Sequence, residues 1–208
     1  MSEGTTKETV RLEAFSDAVF AIAITILALE VRIEERDGLR LAQALTEMWR
    51  VYLAYLLSFL TILIMWLNHH AVLLWVRRVE GKLLVANGIL LMLVALVPFP
   101  TTLVGEYLGT QDGKYAVAAY TGLFLVITLA FLWVWWLVSS QRRELAPTLP
   151  KREVSLTNRF LVFGLAGYLV AVGLAFIQPV ASLALAMAMV VFWLAHAYRH
   201  HRVAEKAA

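Results

Sequence analysis

The sequence predicts an all-α membrane protein with six transmembrane helices, and three observations carry that prediction. Of its 208 residues, 61% are hydrophobic and 16% charged, with a mean hydropathy of +0.74; a soluble domain runs at roughly 45–50% apolar and about 25% charged. Six runs of about 20 apolar residues follow one another, each the length a helix needs to cross a bilayer. Most of the Lys and Arg between them falls in alternate loops, as positive charge does on the cytoplasmic side of a membrane.

The first run is Arg11 to Val31, RLEAFSDAVFAIAITILALEV. It is too long and ends too acidic for a cleaved signal peptide, so it is expected to be retained. Arg11, Ser16 and Asp17 lie near its start, and ionisable groups at such depths are costly unless they are paired or functional. At about 100° per residue, Arg11, Phe15, Ala18, Ile22, Thr25, Ile26 and Leu29 share one stripe. Asp17 points elsewhere with Ala21, Ile24 and Ala28, and needs a partner on a neighbouring helix.

The remaining spans are Trp49 to Trp75, Leu83 to Gly105, Tyr115 to Ser139, Leu156 to Ile177 and Val180 to Tyr198. Before the second, Asp37 to Met48 is amphipathic through Leu39, Leu41, Ala42 and Leu45, and either extends that helix outward or lies on the outer interface. The aromatic segment Phe131 to Leu137 is expected to face lipid or pack on a neighbour. Gly164, Gly167 and Gly173 permit close helix packing on the fifth span. Gln178 and Pro179 read as a tight hairpin between the last two spans. Ala146 to Lys151, with two prolines, is the expected point of looseness, and His200 and His201 read as a solvated end. No repeat is visible, and residues 1–208 form one six-helix domain.

Lys7 and Arg11, then Arg77, Arg78 and Lys82, then Arg142, Arg143, Lys151, Arg152 and Arg159, then Arg199, Arg202 and Lys206 share one side. The positive-inside rule makes that side, and both termini, cytoplasmic. The net charge of +3 is explained by this bias, without nucleic acid. The absence of cysteine excludes disulfides and thiolate metal sites. Ser16 beside Asp17 lacks a nucleophile signature, and no phosphate-binding glycine loop or zinc-protease motif occurs, so no enzyme and no cofactor are expected. A metal at His69, His70 and Asp17 is disfavoured because adjacent histidines point about 100° apart on a helix.

With the chain so oriented, Asp17 lies about six residues, or roughly 9 Å, inside the membrane. Trp66, Asn68, His69 and His70 on the second span, and Asn87 on the third, fall at the same level. A carboxylate in a dry bundle has imidazole and amide groups available there. Two uses remain open: the layer holds the first three helices in register, or it fixes and gates the first helix, with His69 or His70 as a proton-sensitive element. The stripe also has two uses on these residues alone, packing inside the same subunit or lining a path.

At RLEAFSD, followed by AVFAIAITIL, the sequence resembles the prokaryotic branch of the transmembrane protein 175 family of potassium channels. The hallmark, Arg, three residues, then Phe-Ser-Asp, is complete as Arg11, Phe15, Ser16 and Asp17, and WLNHH on the second span is similar to the family's polar partner segment. The resemblance implies a homotetramer whose first helices line a central pore without a carbonyl filter loop. By position it implies Ile22 as the narrow hydrophobic constriction, Ile26 and Leu29 as further apolar rings and Thr25 as a hydroxyl ring. It also implies that Arg11, Ser16 and Asp17 join Trp66 and His69 in a supporting network; Asn87 is added from depth. The expected function is a weakly selective potassium leak channel of the bacterial inner membrane, with membrane lipid around it. Other monovalent cations or protons remain open as permeants. The alternatives are a proton-coupled carrier or proton-permeable channel using Asp17 and His69, and a non-conducting scaffold.

Overall fold

A computed structural model describes residues 3–32 and 41–207. Its helices are α1 (Glu3–Leu29), α2 (Leu41–Glu47), α3 (Trp49–Leu73), α4 (Gly81–Ala95), α5 (Pro98–Tyr107), α6 (Gly113–Ser140), α7 (Arg142–Leu145), α8 (Lys151–Ala175) and α9 (Pro179–Ala207). Six stretches are long and apolar enough to cross a membrane: Glu8–Leu29, Trp49–Leu73, Gly81–Tyr107, Gly113–Ser140, Lys151–Ala175 and Pro179–His200. The chain is therefore an all-helical, six-span membrane protein. Leu39 and the start of the amphipathic segment lie outside the described residues; the rest forms the separate short α2, with Leu41 and Leu45 exposed.

The third span is two helices, a break the apolar run conceals. Pro98 and Pro100 remove two backbone donors, and the chain turns at Leu96 and Val97. Bonds from Leu96 N to Leu93 O, Val97 N to Val94 O and Phe99 N to Leu96 O keep the carbonyls there paired. That pairing lets the kink exist at membrane depth. Thr101 donates back to Val97 O at 2.7 Å, and its Oγ1 lies 2.7 Å from Ser58 Oγ. Ser58 in turn reaches Tyr120 Oη at 3.1 Å, so hydroxyls join α3, α5 and α6.

α3 packs on α1, α5 and α9, while α6 packs on α4, α5, α8 and α9. These two helices form the middle of the subunit. α1 and α8 are its least buried spans; α1 leans on α3 and α4, and α8 on α6 and α9.

Two expectations fail at the end of the bundle that carries the tail. The segment Ala146 to Lys151 is anchored: Leu145, Ala146 and Leu149 are buried, Arg77 N donates to Leu145 O at 2.7 Å, and Arg142 donates to Leu149 O. His200 is buried as well, its ring against Trp75, Trp135 and His196. Charge around it suggested solvent, but a 29-residue α9 carries it along the bundle wall. Of the Trp cluster, Trp135 is buried and donates to Asn158, while Trp136 is exposed.

Gly164 and Gly167 face α9 inside the subunit, where a Cβ at Gly164 would run into the indole of Trp193, and Gly173 faces open space. Gly164→Ala is expected to lower stability by about 1–3 kcal/mol, because the rigid indole must shift. Gly173→Ala is expected to be neutral or stabilising, since it gains helix propensity without a clash. Thermal unfolding in detergent checks the pair.

Candidate functional site: the first helix and its supports

α1 divides its length between two faces. Leu12, Ser16, Phe20, Ala23 and Leu27 are buried, a spacing of about one turn that seats the helix on α3 and α4. On the other face Arg11, Phe15, Ala18, Ile22, Thr25, Ile26 and Leu29 are all exposed, Ile22 at 57% and Leu29 at 64%. The stripe is therefore not used for packing within the subunit. Thr25 donates to Ile22 O at 2.8 Å, which fixes its proton inward along the helix and leaves oxygen lone pairs on the exposed side.

Behind the stripe lies a dry network across three helices. Ser16 Oγ donates to Leu12 O at 2.8 Å, and Asn87 Nδ2 donates to Ser16 Oγ at 3.0 Å. That orientation turns Asn87 Oδ1 to His69 Nε2, 2.7 Å away, so His69 carries its proton there. Ser16, His69 and Asn87 are all buried. The rings of Phe20 and Phe131 flank the imidazole at 5.4 and 6.4 Å, excluding water from a chain of bonds in which each donor has one acceptor.

A second group sits beside it, half-exposed. Trp66 Nε1 donates to Asp17 at 2.8 Å, and His70 Nδ1 lies 2.9 Å from Glu13 Oε1. Glu13 and Asp17 are one turn apart on α1; Trp66 and His70 are one turn apart on α3, with rings stacked at 5.9 Å. The helices meet as two matched pairs, an arrangement the i, i+4 spacing produces on one face of each. Glu13 escaped sequence reasoning, although its spacing from Asp17 marks it as a member of the same face.

Of the residues expected to act together, Ser16, Asp17, Trp66, His69 and Asn87 converge on the contact between α1, α3 and α4. Asp17 bonds an indole rather than an imidazole, and His69 takes Asn87. Arg11 stands apart: it is exposed on the stripe and makes no hydrogen bond or ion pair with a described residue. One turn before Phe15, it lies on the face of α1 away from Ser16 and takes no part in the bonds described within the subunit. Phe15 is likewise on the exposed face.

A family model described as the endosomal/lysosomal potassium channel TMEM175 matches residues 11–98. A potassium channel of Chamaesiphon minutus is 40% identical over 189 residues, covering 89% of this chain and 93% of that one. The chain belongs to the TMEM175 family. A potassium channel of Streptomyces collinus is 41% identical over 179 residues, 85% of this chain and 87% of that one. Among solved structures, a lysosomal potassium-selective channel TMEM175 homolog from Chamaesiphon minutus superposes with a TM-score of 0.83 at 38% identity, over 92% of this chain and 98% of that one. The matched stretch 11–98 spans the residues of the α1, α3 and α4 contact, through Asn87, and ends at the Pro98 break. The helices beyond it supply the wall on which α3 and α4 rest.

Proposed function

We propose that the chain forms a homotetrameric, weakly selective potassium leak channel in the bacterial inner membrane, with both termini cytoplasmic and four copies of α1 around the pore. The observation that carries this reading is the bare stripe on α1, exposed along its length while the opposite face is fully engaged. One stripe cannot enclose a path; four facing an axis can. Ile22 is then the constriction, Ile26 and Leu29 further apolar rings, and Thr25 a ring of hydroxyls between them. An apolar ring narrow enough to shed water blocks ions until the helices splay or rotate.

The relatives named as potassium channels support the choice of ion, and the loop charge supports the orientation. Against a proton-coupled carrier stands the geometry of the acid and the imidazole: Asp17 pairs with Trp66 and His69 with Asn87, in separate bond chains. A scaffold role for the fifth span loses its motive, since Gly164 and Gly167 are used against α9.

Purified protein in potassium-loaded liposomes is expected to pass potassium passively, with a reversal potential that follows the potassium gradient. A reversal potential tied to both potassium and proton gradients in fixed ratio would favour a carrier. Protein that stays monomeric and passes no ion would overturn the channel.

A further inference from the structure

A second polar cluster lies away from α1, where the last turns of α9 pass α3 and α8. His196 and His200, one turn apart on α9, are 4% and 1% exposed. Their rings are nearly parallel, 22° apart, with centroids separated by 5.5 Å. Asn68 fixes the proton on the first. Its Nδ2 donates to the carbonyls of Ile64 at 2.8 Å and Trp193 at 3.3 Å, so its Oδ1, 2.7 Å from His196 Nδ1, accepts an N–H. A neutral imidazole protonated on Nδ1 carries its lone pair on Nε2.

The ring of His200 lies against the Ala71 backbone, and its Nε2 likewise has no partner. Both Nε2 atoms are buried and unpartnered. Two lone pairs in such a place are costly unless something occupies them.

The arrangement is that of metal-ligating histidines, whose outer nitrogen is pinned by a carbonyl or amide so that the other faces the ion. Two imidazoles sharing one tetrahedral ion at about 2.0–2.1 Å place their centroids roughly 5 Å apart, a small side-chain rotation from the spacing seen. The Trp75 ring stands edge-on to His200, and its Nε1 is a buried donor without an acceptor, as are Arg199 Nε and Nη2 and the Thr157 hydroxyl. The lone pairs suit a cation, and these N–H and O–H groups suit the oxygens that complete its coordination. Glu153 at 2.8 Å from Arg199 Nη1 offsets the guanidinium charge. Among the described residues no three His, Cys, Asp or Glu side chains converge, so the protein supplies two ligands and solvent the rest.

We propose that His196 and His200, one turn apart on α9, form a two-histidine site for a borderline transition-metal dication such as zinc. The site is independent of the pore reading.

Untagged full-length protein in detergent is exposed to zinc chloride or cobalt chloride, desalted, and its metal counted per chain, with magnesium as control. The expected result is about one zinc per chain, a higher thermal midpoint with zinc, and a cobalt absorption spectrum of tetrahedral nitrogen and oxygen ligation. In His196→Gln and in His200→Gln the affinity is expected to fall by about tenfold or more, while His201→Gln keeps it. No zinc above the magnesium control and no cobalt band would overturn the proposal and leave buried water only. Equal zinc retention in both Gln variants would overturn it too, placing the ion elsewhere. Should either variant misfold, the cobalt spectrum of the unaltered protein decides. Potassium flux tests the pore separately, so the two readings fail independently.

Discussion

Ile22→Asn is expected to raise potassium leak through reconstituted protein by about tenfold or more, equivalent to roughly 1.4 kcal/mol off the barrier. The physical reason is wetting. In the proposed tetramer a ring of four isoleucines offers water no hydrogen bond, so a narrow column there breaks and an ion must shed its hydration to pass. An amide at the same point donates and accepts and holds the column together. Ile22→Ala widens the ring and is expected to raise leak in the same direction, whereas Ile22→Leu keeps both size and polarity and is expected to leave it unchanged. Because Ile22 is exposed in the subunit and packs against nothing within it, these substitutions are expected to leave the subunit folded. A flux assay read beside detergent size exclusion separates gating from assembly. Unchanged flux in both Asn and Ala variants would remove Ile22 from the constriction.

The contrast between the α1 stripe and the tail of α9 shows how much the sequence made legible. The stripe could be drawn because α1 is amphipathic in an unusual sense: its apolar face and its polar-bearing face are both committed, and 100° geometry separates them without knowledge of any neighbour. The layer of Asp17, Trp66, Asn68, His69, His70 and Asn87 was legible because membrane thickness supplies a common ruler for depth. That ruler gives level but not azimuth. It therefore placed Asp17 near imidazoles without showing that Trp66 faces it.

The misses at the ends of spans have one cause. Hydropathy treats charge as solvent-seeking, but Arg199 pairs with Glu153 on α8, and this neutralisation lets His196 and His200 run on inside the bundle. The linker Ala146 to Lys151 looked loose from its prolines. The buried leucines at its start and within it, Leu145 and Leu149, were the opposite signal, and pinning by the Arg77 backbone is a tertiary fact that no local pattern carries. The Pro98 break was visible as composition, yet a span length of about 20 residues absorbs a kink without remainder.

Asn87→Leu is expected to be the most damaging single change in the network, costing about 2–6 kcal/mol of stability. Removing the amide leaves His69 Nε2–H without its acceptor and Ser16 Oγ without its donor, both in a dry site walled by Phe20 and Phe131, and each orphaned buried group costs about 1–3 kcal/mol. Asp17→Ala is expected to cost less, about 1–3 kcal/mol, because Asp17 and Trp66 are only half-buried and water can reach the freed indole N–H; its damage is expected in assembly before selectivity. The two can be told apart from simple loss of volume by pairing. When both partners of a buried bond are replaced by apolar groups the penalty largely disappears, so His69→Leu with Asn87→Leu is expected to be less destabilised than the sum of the two single changes. Thermal unfolding of the four proteins in detergent gives the cycle. Strict additivity would mean that the imidazole and the amide are not coupled, and that α1 is held on α3 and α4 by its buried apolar face alone, through Leu12, Phe20, Ala23 and Leu27. A coupling of about 1 kcal/mol or more would mean that the angle of α1, and with it the diameter of the ring at Ile22, is set by a bond chain whose two ends lie on different helices.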